Sequence, residues 1–227
     1  MREWYDLDIM REHHKNKWAQ DGEDGLLVHI FSNIEPRCKF GVEFGAGGSH
    51  GTQNLKWLKY KLGWDVCMWD FTIKTKRPYI YKEVVTPENI NDLFEKYEVP
   101  KDLDVVVIDV DGQDYWMWEA LEWRPQIIEI EFNTKLDVFD NKVMEKDSEH
   151  WVKRDCKTAS YGASLSSLKK LGNKKGYSLI DQCGKNLFFI LSDLVNGYEV
   201  NINDLKVEVH KSDNNRKFNE NIKWVEV

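Results

Sequence analysis

Apolar and polar positions along this chain fall into blocks whose period switches repeatedly between that of a helix and that of a strand. Residues 4–19 are polar with aromatic residues between the charges, which predicts a helix, and the run Gln20-Asp21-Gly22-Glu23-Asp24-Gly25 breaks it. The apolar stretch LLVHIFSNI predicts a second helix, ending near Pro36. From Lys39 the pattern changes. KFGVEF reads as a short buried strand, Gly45 to Gly48 as a glycine-rich turn, and SHGTQNLKWLKYKLG as an amphipathic helix with Leu55, Leu58 and Leu62 on one face.

The same alternation continues downstream. WDVCMWD and YIYKEVV predict two strands joined by the lysine-rich link TIKTKRP, and PENINDLFEKY predicts a helix with proline at its start. LDVVVIDVDG is the strongest strand, a β-branched run without alternation, as expected where both faces are covered. DYWMWEALEW follows as a helix and QIIEIEFN as another central strand. Residues 134–161 fit no regular pattern. GASLSSLKKLGNKKG predicts a helix stopped by Gly176, and YSLIDQCG and NLFFILS predict two strands joined at Gly184-Lys185. The asparagine-rich tail from Asn196 holds one further strand candidate, LKVEVH.

Strands separated by helices at this rhythm define an α/β chain. The expected architecture is a Rossmann-like, mostly parallel sheet with helices on both faces and an antiparallel hairpin at its edge. Residues 1–195 are read as one domain with an N-terminal helical extension over 1–36, and residues 196–227 as a C-terminal extension.

Composition narrows the function classes. Hydrophobic residues make up 41% of the 227 and charged residues 31%, which suits a folded globular chain. A net charge of -7 disfavours a nucleic-acid partner. No signal-like or membrane-length apolar run is present, so a cytoplasmic location without membrane association is expected. Cys38, Cys67, Cys156 and Cys183 form no C-x-x-C pair, which argues against a zinc site or a disulfide framework.

Chemistry concentrates at the ends of the predicted strands. Glycines at 45, 47 and 48 let backbone approach a ligand closely, and Asp70 ends the next strand about 20 residues on, where a carboxylate accepts from ribose hydroxyls. The turn lacks the G-x-G-x-x-G spacing, and Glu43 just before it suits a cationic aminoacyl group better than a pyrophosphate. S-adenosylmethionine is therefore the expected cofactor in preference to NAD; the alternative for Glu43 is that it caps the loop by accepting amides. Asp109, Asp111 and Asp114 cluster after the central strand, with Glu131 and Asn133 closing its neighbour. Such a group supplies either a general base of raised pKa or the oxygen ligands of a divalent metal, and Asp111-Gly112 also suits a turn and Asp114 a helix cap. His50, after the glycine turn, can face cofactor or substrate, whereas His13 and His14 are expected at the surface. Trp116 and Trp118, two apart, cannot share one helix face, so one belongs to the core and the other to a neighbouring element.

Together QDGEDGLL, VEFGAGGSHGTQN, the strand ending at Asp70, IDVDGQDYWMWEAL with RPQIIEIEFN, and YGASLSSLKKLGNKKGYSLI with NLFFI resemble methyltransferases of FkbM type, over most of residues 20 to 191. The resemblance implies a seven-stranded sheet whose last strand is antiparallel. It also implies that Glu43, Gly45, Ala46, Gly47 and Ser49 line the methionine side of the donor, with Asp70 at the ribose and Phe71 at the adenine. Asp109 would lie beside the methionine or the reacting hydroxyl, and Gln20 would help close the site. The expected activity is O-methylation of a sugar or other small-molecule hydroxyl, with Asp109, then Glu131, Asp111 and His50, as candidate bases. The alternatives are a nucleic-acid or protein methyltransferase using Lys56, Lys59, Lys61, Lys74 and Lys76 as a basic face, or a non-catalytic module that binds the same cofactor.

Overall fold

The fold is described from a computed structural model, which covers residues 2–46, 52–73, 78–146, 161–211, 214, 217 and 222–227. Two short helices, α1 (Leu7–Glu12) and α2 (Glu23–Asn33), precede the first strand, β1 (Phe40–Phe44). Then come α3 (Lys56–Leu62), β2 (Asp65–Trp69), β3 (Ile80–Tyr81), α4 (Ile90–Lys96), β4 (Val105–Ile108), α5 (Asp114–Ala120) and β5 (Ile127–Glu131). A small strand, β6 (Lys142–Met144), is followed by α6 (Leu165–Lys175), β7 (Tyr177–Cys183), β8 (Asn186–Leu191) and β9 (Trp224–Glu226).

Seven strands form one sheet in the order β3-β2-β1-β4-β5-β8-β7. The pairs from β3 to β5 are parallel, and β8 lies antiparallel between β5 and β7. This is a Rossmann-like α/β fold with the edge hairpin that the residues around Gly184 predict. Strand periodicity divides the core between two faces. Val42, Phe44, Val106, Ile108, Ile128 and Ile130 pack with apolar residues of α4, α5 and α6, whereas Val105, Val107, Ile127 and Phe188 pack with those of α1, α2 and α3. Trp118 is fully buried on the first of these faces, and half-buried Trp116 donates its indole N–H to the Met144 carbonyl at 2.8 Å.

Several expected elements are shorter or elsewhere. The helix expected over 4–19 spans only Leu7–Glu12, because Asp24 draws the next segment into a non-helical path: its carboxylate accepts from the amides of Lys17 and Trp18, at 3.0 and 2.8 Å to Oδ2. The run 20–25 does separate the first two helices, and its last three residues already belong to α2. Of YIYKEVV, only Ile80 and Tyr81 pair, and LKVEVH forms no strand. Within 134–161, β6 pairs antiparallel with β9 in a second, two-stranded sheet. His13 stacks on His29, and His14 bonds Asp181 at 2.6 Å, so neither is a free surface group. Cys38, Cys67 and Cys183 are free thiols, and Cys156 lies outside the described residues. Among the described residues, no helix is long and apolar enough to cross a membrane.

Candidate functional site

A cavity of about 420 Å³ opens at the carboxyl ends of the parallel strands, where an open α/β sheet offers a crevice for ligands. Each central strand delivers one group to it: Gly45 follows β1, Asp70 follows β2, Asp109 follows β4, and Glu131 ends β5. Because β8 is antiparallel, its first residue lies at the same edge. Asn186 sits opposite Glu131 in register and, with the preceding Lys185, completes that wall. Gln20, Asp21 and Glu23 close the cavity from the chain leading into α2.

Gly45 explains why the turn needs glycine. Its φ is +69°, and a Cβ there would stand 1.6 Å from the Asp109 carbonyl oxygen. The β1 and β4 loops therefore touch backbone to backbone under the cavity. The Gly45 amide is already committed, donating to the Trp69 carbonyl at 3.0 Å. Ala46 is buried beside it and does not line the cavity; its carbonyl accepts from Gln53 Nε2 at 2.9 Å.

Glu43 does not face the cavity either. Its two oxygens accept from the amides of Asn54 and Leu55, at 3.1 and 3.0 Å, where the chain enters α3. Burial raises its pKa to about 7 against those two bonds. Glu43 thus caps the entry to α3 rather than the glycine loop. Asp114 is likewise structural: it accepts from the amides of Val110 and Gly112 at 2.9 and 2.8 Å, which fixes the turn at Asp111, whose φ is +58°. Its pKa is also raised to about 7, by burial and then by Glu131.

Asp70, 7% exposed, accepts through Oδ1 from both the amide and the hydroxyl of Thr72 at 2.6 Å. Its Oδ2 takes no donor from the described residues, and Asp70 lines the cavity. Phe71 beside it is 45% exposed at the cavity rim.

At the opposite end, oxygens of Asp109, Asp111 and Glu131 lie within 4.8 Å of one another. Glu131, 2% exposed, forms an ion pair with Lys185, whose ammonium also reaches the Tyr161 hydroxyl at 3.4 Å. Burial works against the Lys185 cation, yet Glu131, Tyr161 and Asp109 hold its pKa above the ordinary lysine value. Asp109 is raised as well, but here burial works with the shift. Burial, then the charges of Glu131 and Asp111, push its carboxyl well above the usual range despite Lys185. The single ammonium is thus shared by a carboxylate group that also attracts a proton or a cation.

Of the residues expected at the site, Gln20, Gly45, Asp70, Phe71, Asp109, Asp111 and Glu131 line one cavity. Gly47, Ser49 and His50 lie outside the described residues, as do Lys74 and Lys76 of the suggested basic face. Sequence reasoning missed Glu23, Asn54, Lys185 and Asn186. The hairpin turn at Gly184-Lys185 was visible, and with an antiparallel last strand it implies that the turn returns to the carboxyl edge.

No family model matches the sequence, and no curated protein does. A search of solved structures returns one described as the citrinin polyketide synthase CMeT domain, 14% identical, with a TM-score of 0.43, covering 78% of this chain and 52% of that one. The chain therefore spans about half the length of that structure.

Proposed function

We propose that this protein is an S-adenosylmethionine-dependent methyltransferase acting on a hydroxyl of a sugar or another small molecule. The observation that carries the reading is the pairing of Asp70 Oδ2, unclaimed at the end of β2, with the Asp109–Glu131 group at the ends of β4 and β5 in one cavity. A carboxylate with one committed and one open oxygen suits a ribose hydroxyl, and an acidic far end suits the cationic half of the donor. Phe71 at the rim offers a flat apolar surface to an adenine. Among the described residues that line the cavity, Lys185 is the one lysine or arginine, and it already pairs with Glu131.

When bound, S-adenosylmethionine supplies an electrophilic methyl group on a sulfonium. The chain's own contribution is to hold the acceptor hydroxyl in line and to take its proton. Asp109 is the proposed base, because it lines the cavity beside Asp111 and Glu131 and its raised pKa makes it a stronger proton acceptor than an ordinary aspartate. Glu131, paired with Lys185, helps keep that pKa high. Gln20, Asp21 and Glu23 cover the cavity and limit the water that competes for the acceptor position.

The test is transfer itself. Purified protein incubated with methyl-labelled donor and a small-molecule extract should yield a labelled metabolite, and Asp109→Asn should abolish it. Label arriving only on RNA or protein would move the acceptor to the other class.

A further inference from the structure

The proposed reading leaves a cavity residue and a buried acid beside it without a role. Asn54 lines the cavity just before α3, and Glu129 is fully buried in the middle of β5. They are joined, since the Asn54 side-chain amide donates to Glu129 Oε1. Glu129 sits two places from Glu43 across the sheet: Glu43 pairs with Val107, and Val107 with Glu129. Asn54 spans that interval, giving its backbone amide to Glu43 at 3.1 Å and its side chain to Glu129.

Resting on the methyltransferase reading, we propose that Asn54 is a donor-binding residue, presenting Oδ1 to the donor's ammonium group, and that Glu129 is the positioning residue that fixes this orientation. An asparagine amide can turn over to offer either a donor or an acceptor. Here Glu129 offers oxygen to Asn54 and so claims the NH2 end, which leaves the carbonyl end toward the cavity. Oδ1 takes no hydrogen bond from the described residues.

Burying a carboxyl in a sheet is costly, and Glu129 Oε2 has no hydrogen-bond partner among the described residues. An apolar residue would pack this position, flanked by Val107 and Phe188, at less cost. What Glu129 does that an apolar residue would not is hold Asn54. Burial, followed by the charges of Glu23 and Glu43, raises the Glu129 pKa, while the Asn54 amide opposes that rise by donating to Oε1.

The experiment is isothermal titration of the full chain with S-adenosylhomocysteine, which keeps the ammonium and lacks the methyl group. The wild type should bind. Asn54→Leu should weaken binding about tenfold, the scale of one hydrogen bond to a charged group. Glu129→Leu should weaken it to a similar degree, and the double variant by no more than the worse single. Glu129→Gln, whose amide oxygen can also accept from Asn54, should stay within about threefold of wild type. Asn54→Leu retains the backbone bond to Glu43, so it tests the proposal even where Glu129→Leu fails to fold. Wild-type binding with unchanged affinity in Asn54→Leu overturns the inference alone. Absence of binding by a folded wild type overturns the methyltransferase reading, and the inference with it.

Discussion

Gly45 and Asp109 meet so closely that a single added carbon on Gly45 would stand 1.6 Å from the Asp109 carbonyl oxygen. Contact and conformation both forbid a side chain there, since φ is +69°. Gly45→Ala is expected to cost more than about 2 kcal/mol, combining the left-handed penalty with displacement of the β4 loop. Gly63 provides the control: its φ is +71° with nothing within 4 Å of an added carbon, so Gly63→Ala should cost only about 1 kcal/mol. Urea denaturation of both variants measures the difference. Equal costs would remove the steric account of the turn.

Lys185 and Glu131 are a buried pair, with side chains 16% and 2% exposed. Removing one partner strands the other, so Lys185→Met should destabilise by about 3–5 kcal/mol. The Lys146–Glu88 pair is 45% and 56% exposed, and Lys146→Met should change stability by less than about 1 kcal/mol. Chemical denaturation of the two variants tests the ranking.

Stability should fall as pH rises through neutrality. Glu43 and Asp114 hold their protons up to about 7 when folded, against ordinary values of 4.5 and 3.8. Between about pH 5 and 7 the folded chain therefore binds more protons than the unfolded one, and its stability declines with pH. Their contribution is complete below the unfolded values and is lost as pH passes 7. Against burial, Glu83 is lowered by Lys96 and Tyr97, and Glu88 by a backbone amide and then Lys146, so their contribution is complete above 4.5 and constant across this window. Unfolding free energy should be higher at pH 5.5 than at pH 8 by on the order of a few kcal/mol. Glu43→Gln should flatten the slope, and a rise in stability over the same range would contradict the assignment.

Much of the framework was legible in the residues. The uninterrupted Val105–Ile108 run, the glycine turn after β1, and Asp70 and Asp109 at strand ends follow from local pattern, and all meet at one edge of the sheet. Glu43 was readable as a buried acid, but not as the cap of α3, because its partners are eleven and twelve residues on. Lys185 and Asn54 join the site through pairings across 54 and 75 residues, which no local period records. The strand at Trp224–Glu226 was missed for the same reason: its partner is β6, inside a segment without pattern of its own.

The central claim is that the cavity takes a methyl donor whose ribose is held by Asp70. The most direct measurement is calorimetric titration of S-adenosylmethionine into wild type and Asp70→Asn. Asparagine keeps an oxygen for the Thr72 turn, bonded at 2.6 Å, and removes the charge on the open side. The wild type should bind one donor per chain, and Asp70→Asn should bind at least tenfold more weakly with its melting temperature retained. No binding by a folded wild type, or equal affinity in the variant, would contradict it.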